Sequence, residues 1–109
     1  MARVTSDFWV SAYLGRLSGE GIFAHVSAKG DPTAGAVAVK VATMCGQASL
    51  WVRSYDGEGN RVWTCLHEDA DEPEVDAALE RQRKFDRDLW VIEVEDPRGR
   101  HLLETEGLT

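Results

Sequence analysis

The sequence predicts one α+β domain: a mostly antiparallel sheet of five to six strands with two helices, in the order α-β-β-β-β-α-β. Apolar residues recur at helical spacing near both ends of the chain, and they alternate with a period of two in the segments between. The chain has 109 residues, enough for one hydrophobic core and too few for two. We therefore expect a single domain over residues 1–109, with frayed ends near 1–4 and 104–109.

The first helix is predicted over residues 6–18. Asp7 places a negative charge in the first turn, where the helix dipole favours it. Gly19 and Gly21 follow the last apolar position, and either is able to take the left-handed conformation that ends a helix. The residues expected to face the core are Trp9, Val10, Tyr13, Leu14 and Leu17.

Five strands are predicted between and after the helices, and a short sixth at the edge. Short connections favour antiparallel pairing of neighbours among the first four strands, whereas the last long strand follows a helix and is able to pair in parallel. The predicted strands cover residues 22–28, 36–41, 50–53, 61–67, 89–95 and 101–103.

The second helix is predicted from the acidic stretch Asp69–Glu74 to a point near Phe85. Acidic residues at its start and basic residues at its end both match the helix dipole, and Pro73 suits an early helical position. We expect both helices on the same face of the sheet. The other face is then left without a covering layer.

The third and fourth strands carry aromatic and basic residues in alternation. If the turn at residues 56–60 closes the hairpin symmetrically, three pairs share one face: Trp51 with Cys65, Arg53 with Trp63, and Tyr55 with Arg61. Trp, Tyr and Arg are the residues that dominate binding energy at protein interfaces. We call Trp51, Arg53, Tyr55, Arg61 and Trp63 the aromatic–basic face.

The leading hypothesis is a non-enzymatic interaction module that uses the aromatic–basic face to form a homodimer or to bind another protein. An uncovered aromatic patch often marks a contact site. The alternative is an outer sheet face whose aromatic and basic side chains contact only one another, with arginine stems lying over the rings.

The composition argues against nucleic-acid and membrane binding. The formal net charge is −7, and a negative field repels phosphate backbones. No apolar run approaches the roughly 20 residues that cross a bilayer. The N-terminal residues lack the pattern of a signal peptide, so we expect a cytoplasmic protein with both cysteines reduced.

One basic concentration lies at the end of the second helix. It offers an anion site or an RNA contact, but a solvated helix end is the preferred interpretation, because RNA-binding modules show broader basic faces with interleaved aromatics. The residues are Arg81, Arg83, Lys84 and Arg87.

Cys65 and His67 lie two residues apart in the predicted fourth strand, so strand spacing places them on one face. Cys45 is the other thiol. The chain lacks the ligand spacings typical of zinc sites, so no metal or cofactor is expected. Neither cysteine lies at a helix start that would lower its pKa, so no catalytic residue is assigned. A small-ligand-binding protein or enzyme of unassigned chemistry, using Cys65, His67 and the basic helix end, remains the alternative.

Three segments resemble a family of small alphaproteobacterial proteins, the domain of unknown function 1491 family. They are residues 6–14 (SDFWVSAYL), 30–37 (GDPTAGAV) and 83–96 (RKFDRDLWVIEVED). The resemblance extends from about Val4 to Leu103. It implies a bacterial cytoplasmic protein of one domain, and it implies no activity, cofactor or catalytic residue.

Overall fold

The computed structural model describes residues 4–55, 58 and 61–104, without the side chains of residues 54, 55 and 61. Two helices and five strands follow one another in the predicted order α-β-β-β-β-α-β, so the α+β fold class is confirmed. No helix within the described part of the chain is long and apolar enough to cross a membrane. The elements are α1 (Ser6–Gly19), β1 (Phe23–Ala28), β2 (Val37–Ala42), β3 (Gln47–Tyr55), β4 (Arg61–Asp71), α2 (Glu72–Phe85) and β5 (Trp90–Glu95).

The strands form one mixed sheet in the order β1-β5-β2-β3-β4. The last strand in the chain, β5, lies between the first two, antiparallel to β1 and parallel to β2. The remaining neighbours, β2 with β3 and β3 with β4, are antiparallel. A mostly antiparallel sheet is therefore confirmed, and β1 and β2 are separated by β5 although they are consecutive in the chain.

The two helices cover opposite faces of the sheet, so the expectation that they share one face is wrong. All six residues of β2 are buried, and their side chains point alternately to the two faces. On one face Val37, Val39 and Val41 pack in a core with Trp9, Tyr13 and Leu17 of α1. On the other face Ala38, Ala42 and Leu50 pack with Val75, Ala78 and Leu79 of α2.

The apolar side chains of β2 differ in size between the two faces. Val37, Val39 and Val41 pack with the rings of Trp9 and Tyr13 on the α1 face, whereas Ala38 and Ala42 pack on the α2 face. A strand that is buried on both faces belongs to a sheet that is covered on both sides.

The segment after β5 does not form the predicted edge strand at residues 101–103. It folds back over the α1 face instead, with Leu102 at a φ of 58° and Leu103 fully buried in the α1 core. The hydroxyl of Tyr13 donates a hydrogen bond of 2.7 Å to the carbonyl oxygen of His101. This hydrogen bond ties the C-terminal segment to α1.

Candidate binding groove

The aromatic–basic face lies on the α1 side of the sheet. The predicted pairs Trp51 with Cys65, Arg53 with Trp63, and Tyr55 with Arg61 are all present in the β3–β4 register. Trp51, Arg53 and Trp63 are half-buried, while the side chains of Tyr55 and Arg61 lie outside the described residues.

Trp9 of α1 covers part of this face, which the sequence argument had left open. Its ring lies 5.5 Å from the Trp63 ring and 4.9 Å from the Tyr13 ring, and the Arg53 guanidinium lies 5.2 Å from the Trp9 centroid. Such contacts stabilise the face internally. The indole Nε1 of Trp63 is buried, and no acceptor for it lies among the described residues. The role of these residues as an interface stays a prediction.

A groove of about 290 Å³ opens beside Trp51, at the end of the sheet where β2 and β5 finish. Val41, Ser49 and Trp51 form its floor, because register places Val41 of β2 opposite Ser49 of β3. The C-terminal segment forms one wall and β4 forms the other. The remaining lining residues are Thr43, Glu68, Asp69, Pro97, Arg98, Gly99 and His101. We call this site the Trp51–His101 groove.

His101 is fixed in place by three contacts. Its ring lies 4.9 Å from the Trp51 ring, its carbonyl accepts from Tyr13, and its Nδ1 accepts a hydrogen bond of 3.0 Å from the backbone N–H of Leu103. Burial lowers the pKa of His101, although Glu104 opposes this effect. An acceptor Nδ1 belongs to the neutral ring that carries its proton on Nε2. The groove therefore presents an uncharged aromatic pair at neutral pH.

Arg98 stands at the tip of the turn that begins the C-terminal segment. Asp96 holds this turn by accepting from the backbone N–H, Nε and Nη2 of Arg100 at 2.8, 3.1 and 3.0 Å. The hydrogen bonds from Arg100 lower the pKa of Asp96. Gly99 supplies the positive φ of 70° that the turn needs. Arg98 itself is exposed, and it makes no ion pair with any described residue.

The opposite wall is built by irregular pairing of β4. The register between β3 and β4 shifts on both sides of Leu50, and Asp69 takes a φ of 46°. Its backbone N–H donates to Ser49 Oγ at 3.0 Å. Glu68 and Asp69 are exposed, and neither carboxylate forms an ion pair within the described part of the chain. The groove thus has a cation on one wall and two anions on the other.

The same irregularity separates Cys65 from His67. Cys65 lies opposite Trp51 on the α1 face, while His67 lies opposite Leu50, whose side chain faces α2. The prediction that the two side chains share a face is therefore wrong, because an extra residue in β4 reverses the alternation. Burial, followed by the nearby Glu68, raises the pKa of the Cys65 thiol, which donates to the His67 carbonyl at 3.1 Å.

The basic helix end does not act as one cluster. Arg83 Nη1 donates to the carbonyls of Lys29, Arg87 and Leu89 at 3.3, 3.0 and 2.7 Å, so Arg83 joins the end of α2 to the start of β5. The other three side chains are exposed: Arg81, Lys84 and Arg87. An anion site at these residues stays a prediction.

A buried lysine on the α2 face was not singled out from the sequence. Lys40 is 3% exposed, and its Nζ lies 2.7 Å from Glu72, 2.6 Å from Asp76 and 3.6 Å from Glu93. Burial alone would lower the pKa of Lys40, but the hydrogen bonds that its ammonium donates to Asp76 and Glu72 outweigh burial and raise it. This ammonium is therefore held in its charged form and joins α2 to β2 and β5. A single charge in an otherwise apolar strand was the signal for it.

Comparison with known proteins decides the family. The model of a protein family of unknown function, DUF1491, matches residues 4–104. The chain belongs to the DUF1491 family.

Solved structures from the family share the fold. A crystal structure of a DUF1491 family protein from Caulobacter crescentus is 42% identical, with a TM-score of 0.85 over 93% of this chain and 95% of that one. An NMR structure of a DUF1491 family protein from the same organism is 41% identical, with a TM-score of 0.82 over 93% of each chain. A solution structure of a protein from A. tumefaciens is 32% identical, with a TM-score of 0.75 over 86% of each chain. A comparison with curated proteins found no match.

Proposed function

We propose that this DUF1491 protein is an interaction module that holds a short segment of a partner protein in the Trp51–His101 groove. The observation that carries the proposal is the groove itself. The Trp51 and His101 rings, tilted by 48° to each other, lie between Arg98 on one wall and two carboxylates on the other, and none of these three charges has an ion-pair partner among the described residues.

The volume of the groove favours a short peptide segment over a drug-sized ligand. Sites for drug-sized ligands usually enclose roughly 300–1,000 Å³ and bury most of the ligand. At about 290 Å³, this groove lies at the lower end and suits one anchoring residue. An aromatic floor surrounded by a charged rim is also the usual anatomy of a protein interface.

The reactive side chains elsewhere in the fold favour binding over covalent chemistry. Lys40 is held as a cation by carboxylates, which removes the free amine that a nucleophile needs. The Cys65 thiol is engaged with a carbonyl, and its pKa is raised, so it carries little thiolate at neutral pH.

A peptide-display selection on the folded protein tests the proposal. We expect selected peptides to bind the wild type and to lose affinity in Ser49→Leu, which adds bulk to the floor of the groove without removing a rim charge. Arg16→Leu is the matched control, because Arg16 lines a separate depression with Gly15, Gly19, Glu20 and Leu102. Peptides that bind Ser49→Leu as tightly as the wild type would place the binding surface elsewhere and overturn the proposal.

Homodimer formation through the aromatic–basic face, predicted from the sequence, is a second candidate. Trp51, Arg53 and Trp63 of this face are only half-buried, which leaves aromatic and basic surface for a contact. Light scattering on dilute protein should give twice the monomer mass. A monomer, unchanged by Trp63→Phe, would remove the dimer and leave the groove proposal intact.

The cytoplasm is the location we propose. Both cysteines are free thiols, Cys45 exposed and Cys65 half-buried, which suits a reducing compartment. Alkylation of both thiols in intact cells, without prior reduction, is the expected result. Thiols found oxidised in cells would contradict it.

A further inference from the structure

We propose that the Trp51–His101 groove recognises the C-terminal residue of a partner chain that ends in arginine or lysine. The inference rests on the proposed function and names the chemistry of the segment that enters the groove. Its basis is the separation of charge across the site, with Arg98 on the C-terminal wall and Glu68 with Asp69 on the β4 wall.

The distance between the two walls sets the distance between the two charges of the ligand. Arg98 follows β5 and Glu68 lies in β4, and the sheet order places these two strands three strand spacings, about 14 Å, apart. A carboxylate near Arg98 and a cation near Glu68 must therefore be separated by an extended stem. Within a single residue, a C-terminal arginine or lysine meets this requirement, since its carboxylate and its side-chain charge lie at opposite ends.

The floor suits the stem of such a side chain. Methylene groups of Lys and Arg pack along apolar surface while their charged heads stay in water, and a cation is attracted to the face of an indole ring. Trp51 supplies the ring, and the lowered pKa of His101 keeps the neighbouring imidazole neutral, so it does not repel the cation. The net charge of −7 also attracts a basic peptide.

A chain terminus fits better than a free amino acid or an internal pair of charged residues. The nitrogen of a C-terminal residue is an amide, whereas a free amino acid would bring a second ammonium close to Arg98. An internal acidic and basic pair would place two side chains in a volume of about 290 Å³. We therefore assign the groove to the last residue of a peptide.

Fluorescence polarisation with short labelled peptides tests the inference. The peptides end in arginine with a free carboxylate, in arginine amide, or in norleucine with a free carboxylate. Exposed ion pairs contribute up to about 1 kcal/mol, so each lost charge should weaken binding about fivefold. Equal affinity for the acid and the amide would overturn the assignment, as would equal affinity for arginine and norleucine.

Substitutions on each wall should act on different parts of the peptide. Arg98→Gln should abolish the preference for the acid over the amide. Glu68→Gln with Asp69→Asn should abolish the preference for arginine over norleucine. Arg16→Gln is the control for a lost surface cation and should change neither preference. All of these side chains are exposed, so the variants should keep the wild-type fold.

The outcomes separate this inference from the proposed function. Peptides that lose binding in Ser49→Leu but show no preference at their last residue would refute the inference and leave the groove as a binding site. Tighter binding of free L-arginine than of the arginine-terminated peptide would refute the assignment to a chain terminus. If no peptide binds in a way that depends on the groove, the inference and the proposed function are both refuted.

Discussion

Replacement of Lys40 by methionine should destabilise the fold by about 2 kcal/mol, because three carboxylates lose their cation. Breaking one partner of a buried ion pair usually costs about 3–5 kcal/mol, because the remaining charge loses its compensation. Here the remaining charges are the carboxylates of Glu72, Asp76 and Glu93, whose side chains are 35%, 55% and 30% exposed, respectively. Water therefore reaches them, and the cost falls below the usual range.

Methionine preserves most of the volume of the lysine stem, so the cavity term is small and the lost charge dominates. Because the pKa of Lys40 is raised above its ordinary value, its stabilisation is fully present below that ordinary value of about 10.4 and declines only as pH rises through the folded pKa. Urea denaturation at pH 7, followed by tryptophan fluorescence and circular dichroism, is therefore the suitable assay. The thermal midpoint should fall by about 10 °C.

Lys29→Met is the matched control, because Lys29 is exposed, and it should change the free energy of unfolding by less than about 0.5 kcal/mol. If Lys40→Met proves as stable as the wild type, the desolvation cost of the ammonium equals its attraction to the carboxylates. This cluster would then not stabilise the contact between α2 and the sheet.

Three further predictions concern the loops and the C-terminal segment. Gly30→Ala should destabilise by about 2 kcal/mol in urea denaturation, because a Cβ there would overlap the Asp88 carbonyl oxygen, whereas Gly19→Ala, with open space around it, should not. Tyr13→Phe should cost about 1–2 kcal/mol and speed amide exchange in residues 101–104, because a buried carbonyl loses its donor; unchanged exchange would contradict the tie between α1 and this segment. Since burial lowers the pKa of His101, stability should fall as pH drops from about 6.5 toward the lower folded pKa, and His101→Asn should lose this slope in pH-dependent urea titrations.

The local structure was predictable from the sequence because its signals are local. The bounds of α1 follow from apolar spacing and from the glycines after Leu17, of which Gly21 takes a positive φ of 73°, and the pairing of Trp51 with Cys65 follows from symmetric closure of a short turn. The presence of a helix on each face of the sheet was harder to predict. Its signal is the alternation of valine with alanine and Lys40 in β2, and the same alternation is typical of a strand with one core face.

The groove could not be predicted, because its residues come from four segments and depend on an irregularity in β4. In the sequence, Glu68 and Asp69 belong to an acidic stretch typical of the first turn of a helix. In the structure they lie in β4, whose register with β3 shifts by an extra residue. Such a bulge leaves no periodic signal. His101 was assigned to an edge strand because Leu102 and Leu103 follow it, and only the left-handed backbone at Leu102 redirects the segment over the sheet.

The position of β5 has a consequence for synthesis on the ribosome. In the described sheet, the only neighbour of β1 is β5, and residues 29–89 separate the two strands in the chain. When residues 23–28 emerge, they therefore wait for more than half of the chain before a partner strand exists. The hairpins of β2, β3 and β4 form from contacts closer in sequence, so the nascent chain should acquire that half of the sheet first. A chain truncated before Trp90 would leave β1 as an unpaired strand, and aggregation is the expected fate of that fragment.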